Sequence, residues 1–298
     1  MVRPAWRLTR YLAFLGLLSA CSGADVMNAL APTDQATIAR DIAYGPDARR
    51  RLDVYAPSGR PDSRGAPVVV YLYGGGWWTG DRGDYRFVGA SLAGQGVVTV
   101  IPDYRVYPEV LFPDFVRDAA RAVAWTRAHI GSMGGDPGRI FLMGHSSGAH
   151  IAMLLTLNRE YLAAEGLDPD RDIAGTVGLA GPYDFLPLTN PVYQTIFAPA
   201  GDLQRTQPIA YARAGAPPLL LLTGRGDTTV LPRNTERLAA RIRALGGRVT
   251  EKVYPGLGHA TIVGMLGRPF SGMAPVLTDI VAFLAANGPG PAASVATR

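Results

Sequence analysis

One turn constrains this chain more than any other stretch. Ile140-Phe141-Leu142-Met143 runs into Gly144-His145-Ser146-Ser147-Gly148, and a helix-forming run follows with Ala149, Ile151, Ala152, Met153, Leu154 and Leu155. The pattern predicts strand, sharp turn, helix. The glycines flanking Ser146 have a steric reason. A chain that reverses from strand into helix within one residue brings two backbones so close that a Cβ at either flank collides. Such a turn lifts the Ser146 hydroxyl above the sheet edge. It leaves the Ser147 N–H at a helix N-terminus, where unpaired donors and the helix dipole favour an anion. Gly-x-Ser-x-Gly is short and loosely specified, so a tight turn capped by a serine is the plain alternative.

The 298 residues suit one large α/β domain, and 48% hydrophobic residues supply a sizeable core. Residues 1–20 stand apart. Arg3, Arg7 and Arg10 precede the short apolar run Tyr11 to Leu18, with no acidic residue among them. The run is too short to span a bilayer, which takes about 20 residues, and reads as a secretory signal peptide. Leu18-Ser19-Ala20-Cys21 resembles a bacterial lipobox. That resemblance implies cleavage before Cys21, a diacylglycerol on its sulfur, and residues 21–36 as a lipidated tether. The protein is then exported and anchored to a membrane of the cell envelope through lipid; Ser22 after the cysteine goes with the outer membrane, or its periplasmic face, in a Gram-negative cell. An ordinary signal peptide cut near Ala20 is the alternative. Cys21 is the only cysteine, so the mature chain has no disulfide and no thiolate metal site. The net charge of +5 falls to +2 without the three leading arginines. No basic run interleaves with aromatics, which argues against a nucleic-acid surface.

Along the mature chain, Thr37 to Tyr44 and Arg51 to Tyr55 alternate in polarity around Gly45-Pro46-Asp47, an antiparallel hairpin at a sheet edge. Pro67 to Tyr73 is a continuous β-branched and aromatic run, a strand buried on both faces, and ends in Gly74-Gly75-Gly76-Trp77-Trp78. Gly96 to Ile101 is a second such strand, after a helical stretch around Tyr85 to Ala93. From Asp114 to about Gly131, Phe115, Ala119, Val123, Thr126 and Ile130 fall on one helical face. Asp136-Pro137 reads as a short turn before the Ser146 strand. Thr176 to Leu179, Leu219 to Thr223 and Val249 to Tyr254 are further strands, with helices at Asn234 to Leu245 and Ala274 to Ala286. Alternating strands and helices mean a mostly parallel sheet with helices on both faces, an α/β domain over 37–286. Residues 287–298 read as a disordered tail.

A serine hydroxyl needs a base to take its proton. Of four histidines, His129 lies in the helix before the serine strand, His145 inside the turn with its side chain expected to point away, and His150 in the following helix. His259 follows the last strand in Tyr254-Pro255-Gly256-Leu257-Gly258-His259. Loops after strand C-termini converge on the ligand crevice of an open parallel sheet, and Ser146 and His259 both occupy such loops. The base needs an acid to fix its tautomer. Asp227 follows the penultimate strand, whose neighbour carries His259, and is preferred; Asp184 in Gly181-Pro182-Tyr183-Asp184 is the alternative. Asp227 also has a plain reading as cap of a helix starting near Pro232. Gly74-Gly75-Gly76 can bring backbone N–H groups against a developing oxyanion. No phosphate-cradle spacing is present.

On Gly144 to Gly148, the glycine run and the order Ser146, Asp227, His259, residues 37–286 resemble the serine esterases of the α/β-hydrolase superfamily. The likeness is nearest to carboxylesterase and hormone-sensitive-lipase-like enzymes, with the xylan and feruloyl esterase-like and prenylcysteine methylesterase-like branches among them. The resemblance implies an α/β-hydrolase fold and an oxyanion hole of Gly75, Gly76 and Ser147. It implies an acyl-enzyme on Ser146, with a small-molecule ester as substrate and no metal or cofactor. Their usual His-Gly-Gly-Gly stands here as Tyr73-Gly74-Gly75-Gly76, so a loop-bracing role for that histidine does not carry over. Trp77, Trp78, Tyr183 and Phe185 follow strand ends and are expected to line an aromatic pocket, or else to pack in the core. The insertion of about 182–211 is long enough for a small cap and too short for a large lid, which favours small or aryl esters. An amidase or formamidase on the same triad, and a non-catalytic binding module, are the other function classes.

Overall fold

The computed structural model describes residues 23–31, 34–59 and 65–288. The proposed signal peptide, Cys21 and the tail from 289 lie outside these. Eight strands make one sheet: β1 (Ala36–Ala43), β2 (Arg51–Pro57), β3 (Ala66–Leu72), β4 (Val98–Pro102), β5 (Gly135–His145), β6 (Gly175–Leu179), β7 (Leu219–Gly224) and β8 (Val249–Tyr254). Their order is β1-β2-β4-β3-β5-β6-β7-β8. β1 and β2 pair antiparallel with each other, and β2 antiparallel with β4; the pairings from β4 to β8 are parallel. This is the α/β-hydrolase arrangement, a mostly parallel sheet with an antiparallel N-terminal hairpin.

The helices are α1 (Gly23–Ala29), α2 (Arg86–Ala93), α3 (Asp114–His129), α4 (Ser147–Leu157), α5 (Arg159–Ala163), α6 (Pro169–Asp172), α7 (Pro191–Phe197), α8 (Arg233–Ala244), α9 (His259–Gly264) and α10 (Val276–Asn287). The face read on α3 from its period is buried, from Phe115 through Thr126, with Ile130 beyond it. α4 is mostly apolar with no polar face, and every one of its residues is buried, as in a helix enclosed by protein. From β3 the chain crosses to β4 on one side and then to β5 on the other. The carboxyl ends of β3 and β5 therefore flank the point where strand order reverses, the place where open α/β sheets hold ligands.

Two local readings differ. Asp136 and Pro137 belong to the start of β5 rather than to a separate turn. The stretch read as a tether carries α1, whose Asn28 donates to the Gly83 carbonyl (2.8 Å) and accepts from Phe87 N (3.0 Å), while Met27 packs on the core. Its seven residues are small and polar enough to look unstructured; docking onto the domain, not intrinsic propensity, makes the helix.

At the turn after β5, Ser146 has φ 54° and ψ −124°, outside the regions a serine ordinarily occupies. The backbone around it has no room. A Cβ on Gly144 would lie 2.3 Å from the Gly148 carbonyl oxygen, and one on Gly148 would lie 2.0 Å from that of Leu72. We expect Gly148→Ala to lower the unfolding free energy by at least about 3 kcal/mol, the upper range for overpacking, because the opposing atoms are backbone and cannot rotate away. Urea denaturation beside the parent protein measures it; an unchanged midpoint would show that the two elements can separate.

Candidate active site

His259 opens α9, just past the loop that follows β8. That loop is locked to the one after β7: Gly226 N donates to the Leu257 carbonyl at 2.9 Å, and a Cβ on Gly224 would meet that same oxygen at 2.3 Å. The imidazole therefore has a fixed origin. Its Nε2 lies 2.8 Å from Ser146 Oγ and its Nδ1 lies 2.8 Å from Asp227 Oδ2. A carboxylate only accepts, so Nδ1 carries the proton in this arrangement and Nε2 presents a lone pair to the serine hydroxyl. The Asp227 carboxylate is buried, and its other oxygen accepts from Thr229 N and Val230 N, both at 2.9 Å. Helix α8 takes Pro232 as its N-cap, so Asp227 does not cap it. Asp184, the alternative acid, pairs instead with Arg237 at 2.9 Å.

Beside Ser146, the turn after β3 is closed by the Gly75 carbonyl, which accepts from Trp78 N (3.2 Å) and Thr79 N (3.1 Å). The N–H groups of Gly75, Gly76 and Ser147 have no hydrogen-bond partner among the described residues. A Cβ on Gly74 would lie 3.0 Å from Ser146 Cβ and 3.2 Å from the His145 carbonyl oxygen, so this loop and the Ser146 turn are in close contact. Tyr73 braces the loop from below. Its ring stacks between Tyr85 and Tyr104, with centroids 5.7 and 4.7 Å away, and its hydroxyl donates to Asp103 at 2.8 Å. Tyr104 donates in turn to the Tyr73 carbonyl at 2.6 Å, and Arg49 reaches both the Tyr73 hydroxyl and the Gly80 carbonyl at the far end of the loop.

A cavity of about 440 Å³ opens over Ser146, walled by Gly76, Trp77, Phe185 and Tyr193, with Thr229 and Asn190 at its polar side. Of the four expected aromatics, Trp77 and Phe185 line it and the other two do not. Trp78 is 51% exposed. Tyr183 is fully buried in space left by two glycines; a Cβ on Gly178 would meet its hydroxyl at 1.9 Å. The segment 182–211 forms this wall with α7 and three short 3₁₀ turns, and Gln207 Oε1 pins it by accepting from Phe185 N at 2.8 Å.

Two histidines prove more involved than their positions suggested. His145 does not simply point away: its Nε2–H donates to the His259 carbonyl at 2.9 Å, and the two rings lie 4.9 Å apart. His150, fully buried, accepts from Trp77 Nε1 at 3.2 Å on Nδ1 and donates to the Thr206 carbonyl at 2.8 Å from Nε2. It thus joins α4, the glycine loop and the cap. Thr206 lies 56 residues away, so no local pattern could have signalled the contact. His129 is exposed; its ring bonds the Trp125 carbonyl of its own helix and stacks on the Trp125 indole.

Residues 52–242 match the BD-FAE family. The isoprenylcysteine alpha-carbonyl methylesterase ICME of Arabidopsis thaliana is 28% identical over 249 residues, covering 76% of this chain and 57% of that protein. Esterase LipC of Mycobacterium tuberculosis is 31% identical over 238 residues, covering 74% and 59%. This chain thus spans less than two thirds of these relatives' length. Among solved structures, esterase B from Lactobacillus rhamnosis superposes with a TM-score of 0.76 at 19% identity, covering 94% of this chain and 95% of that one. A truncated carbohydrate esterase from gut microbiota gives 0.73 at 18%, covering 87% and 99%. At these identities the two structures speak for the fold.

Burial lowers the pKa of both His145 and His150 from the ordinary 6.5 to about 4; the neighbouring His259 adds to the effect at His145. The folded chain therefore keeps both neutral while the unfolded chain protonates them below about pH 6.5. The stability tied to their neutrality is complete above that pH and is lost as pH falls towards 4, at up to about 1.4 kcal/mol per pH unit for each ring. His150→Gln retains one donor and one acceptor and removes one titration. We expect urea unfolding from pH 7 to 4.5 to show a pH slope smaller by about one proton in that variant. An unchanged slope would mean that His150 protonates equally in both states.

Proposed function

This chain belongs to the BD-FAE family on the α/β-hydrolase fold, and from that premise we propose that it is a serine carboxylic-ester hydrolase acting on small or aryl esters. The observation that carries the proposal is the continuous hydrogen-bonded line from Ser146 Oγ through His259 to the buried Asp227, with 2.8 Å at each link.

In the first step Ser146 Oγ attacks the ester carbonyl as its proton passes to His259 Nε2. Asp227 stabilises the imidazolium and, through two backbone bonds of its own, keeps the ring in place. The oxyanion forms against the free N–H groups of Gly75, Gly76 and Ser147. Collapse expels the alcohol with the proton from Nε2 and leaves an acyl-Ser146. Water, deprotonated by the same nitrogen, then releases the acid. None of these steps calls for a metal or cofactor. A 440 Å³ cavity walled by Trp77 and Phe185 suits a short acyl group or an aromatic ring better than an extended fatty chain.

Two further parts of the reading rest on sequence. Lipidation at Cys21, with export to the cell envelope, is supported by the lipobox-like Leu18-Ser19-Ala20-Cys21. A lipid precursor label should appear on the parent and vanish in Cys21→Ser; label persisting there would reject the anchor.

For the chemistry, a fluorophosphonate should label the protein, and Ser146→Ala should abolish labelling and reduce turnover by about 10⁴–10⁶-fold. Asp227→Asn, with the wrong tautomer at His259, should cost about 10³–10⁴-fold. Nitrophenyl acetate and butyrate should turn over far faster than the palmitate. Full activity in Ser146→Ala would overturn the mechanism, and a preference for palmitate or for amides would overturn the substrate class.

A further inference from the structure

The cap places one polar side chain beside the glycine loop. Tyr193 sits in α7, which is held firmly: Asn190 caps it by accepting from Val192 N at 2.9 Å, Ile196 and Phe197 are buried, and the Ile196 carbonyl accepts from Phe112 N at 3.0 Å. The Tyr193 ring meets Trp77 edge-on, with centroids 5.4 Å apart. It lines the same cavity as Ser146 and Gly76. A methyl group placed on Gly76 would lie 3.3 Å from the Tyr193 hydroxyl and 2.8 Å from the indole nitrogen of Trp78. Two donors thus converge on one face of this glycine. Of the two, only Tyr193 also lines the cavity that holds Ser146.

We propose that the Tyr193 hydroxyl donates to the oxyanion formed at Gly76, so that the cap supplies a catalytic residue as well as a wall. This rests on the serine-hydrolase reading above. The phenol keeps its proton throughout, and no bond to it forms or breaks. The carbonyl oxygen of the bound ester is a weak acceptor, whereas the alkoxide oxygen of the tetrahedral intermediate has a full charge and a third lone pair. A neutral donor already in place gains most when that charge develops, so its effect falls on turnover rather than on binding.

The test is steady-state hydrolysis of nitrophenyl acetate by the full chain and by Tyr193→Phe, which preserves the ring and its contact with Trp77. We expect kcat to fall by about 10–100-fold, somewhat below the usual loss for a backbone oxyanion donor, with KM changed less than about threefold. End-point fluorophosphonate labelling and the melting temperature should match the parent, which shows that the nucleophile and fold are intact. Parental kcat in Tyr193→Phe, or a rise in KM with kcat unchanged, would overturn the proposal in favour of a packing or binding role. Activity persisting in Ser146→Ala would instead overturn the underlying hydrolase reading and take this inference with it. Loss in Tyr193→Phe alongside loss in Ser146→Ala supports both.

Discussion

A backbone contact between Gly148 and the carbonyls of Leu72 and Tyr73 fixes the geometry of the whole site. With 2.0 and 2.4 Å to a notional Cβ, the first turn of α4 is pressed against the end of β3. The two residues immediately beyond β3 lead into the glycine loop, and the two immediately before Gly148 are Ser146 and Ser147. Ser146 and the N–H groups of Gly75, Gly76 and Ser147 are thus positioned against one another by main-chain packing. A side chain hops between rotamers; a backbone wedged between strand and helix does not, and preorganised donors depend on that difference. The positive φ of Ser146 is the local cost of the wedge, sustained by the packing of the wholly buried α4.

The second half of the site is assembled by a different device. Asp227 and His259 follow neighbouring strands, β7 and β8, and the loops after those strands interlock through the Leu257 carbonyl. His145, from the nucleophile turn, then bonds the His259 carbonyl and links the two halves. Burial makes this possible by holding His145 neutral, so that its ring offers a hydrogen bond without adding a positive charge beside His259.

Much of this could be read from the sequence because it depends on short-range steric rules. The unbroken apolar runs of β3 and β5, the alternating hairpin, the period of α3 and the two glycines around Ser146 each dictate structure within about ten residues. What was not legible depends on distant contacts. Trp77 and Trp78 are adjacent and chemically identical, yet one lines the cavity and the other faces solvent, because Trp77 takes a φ of 65° that no strand or helix period anticipates. The choice between Asp227 and Asp184 turned on which strand neighbours β8, a property of topology that the chain order only suggests. α1 forms on a surface supplied by residues 83–87, and the contacts of Tyr193 and His150 run between the cap and the glycine loop.

Tyr73 stands where the resemblance leads one to expect a histidine, and it braces the glycine loop by its own chemistry. The tyrosine inserts a flat ring between Tyr85 and Tyr104 and sends its hydroxyl to Asp103, which Arg82 also engages through backbone and side chain. Arg49 spans from that hydroxyl to the Gly80 carbonyl, so both ends of the loop rest on one aromatic stack. On the opposite side Trp77 is held by His150, which also grips the cap at Thr206. The glycine loop is therefore clamped from below by an ionic and aromatic layer and from above by the cap. Any rearrangement of the cap that moved Thr206 would strain the His150 bond to Trp77. The cavity wall and the glycine loop are thus tied together through one buried histidine, and the proposed action of Tyr193 depends on that link.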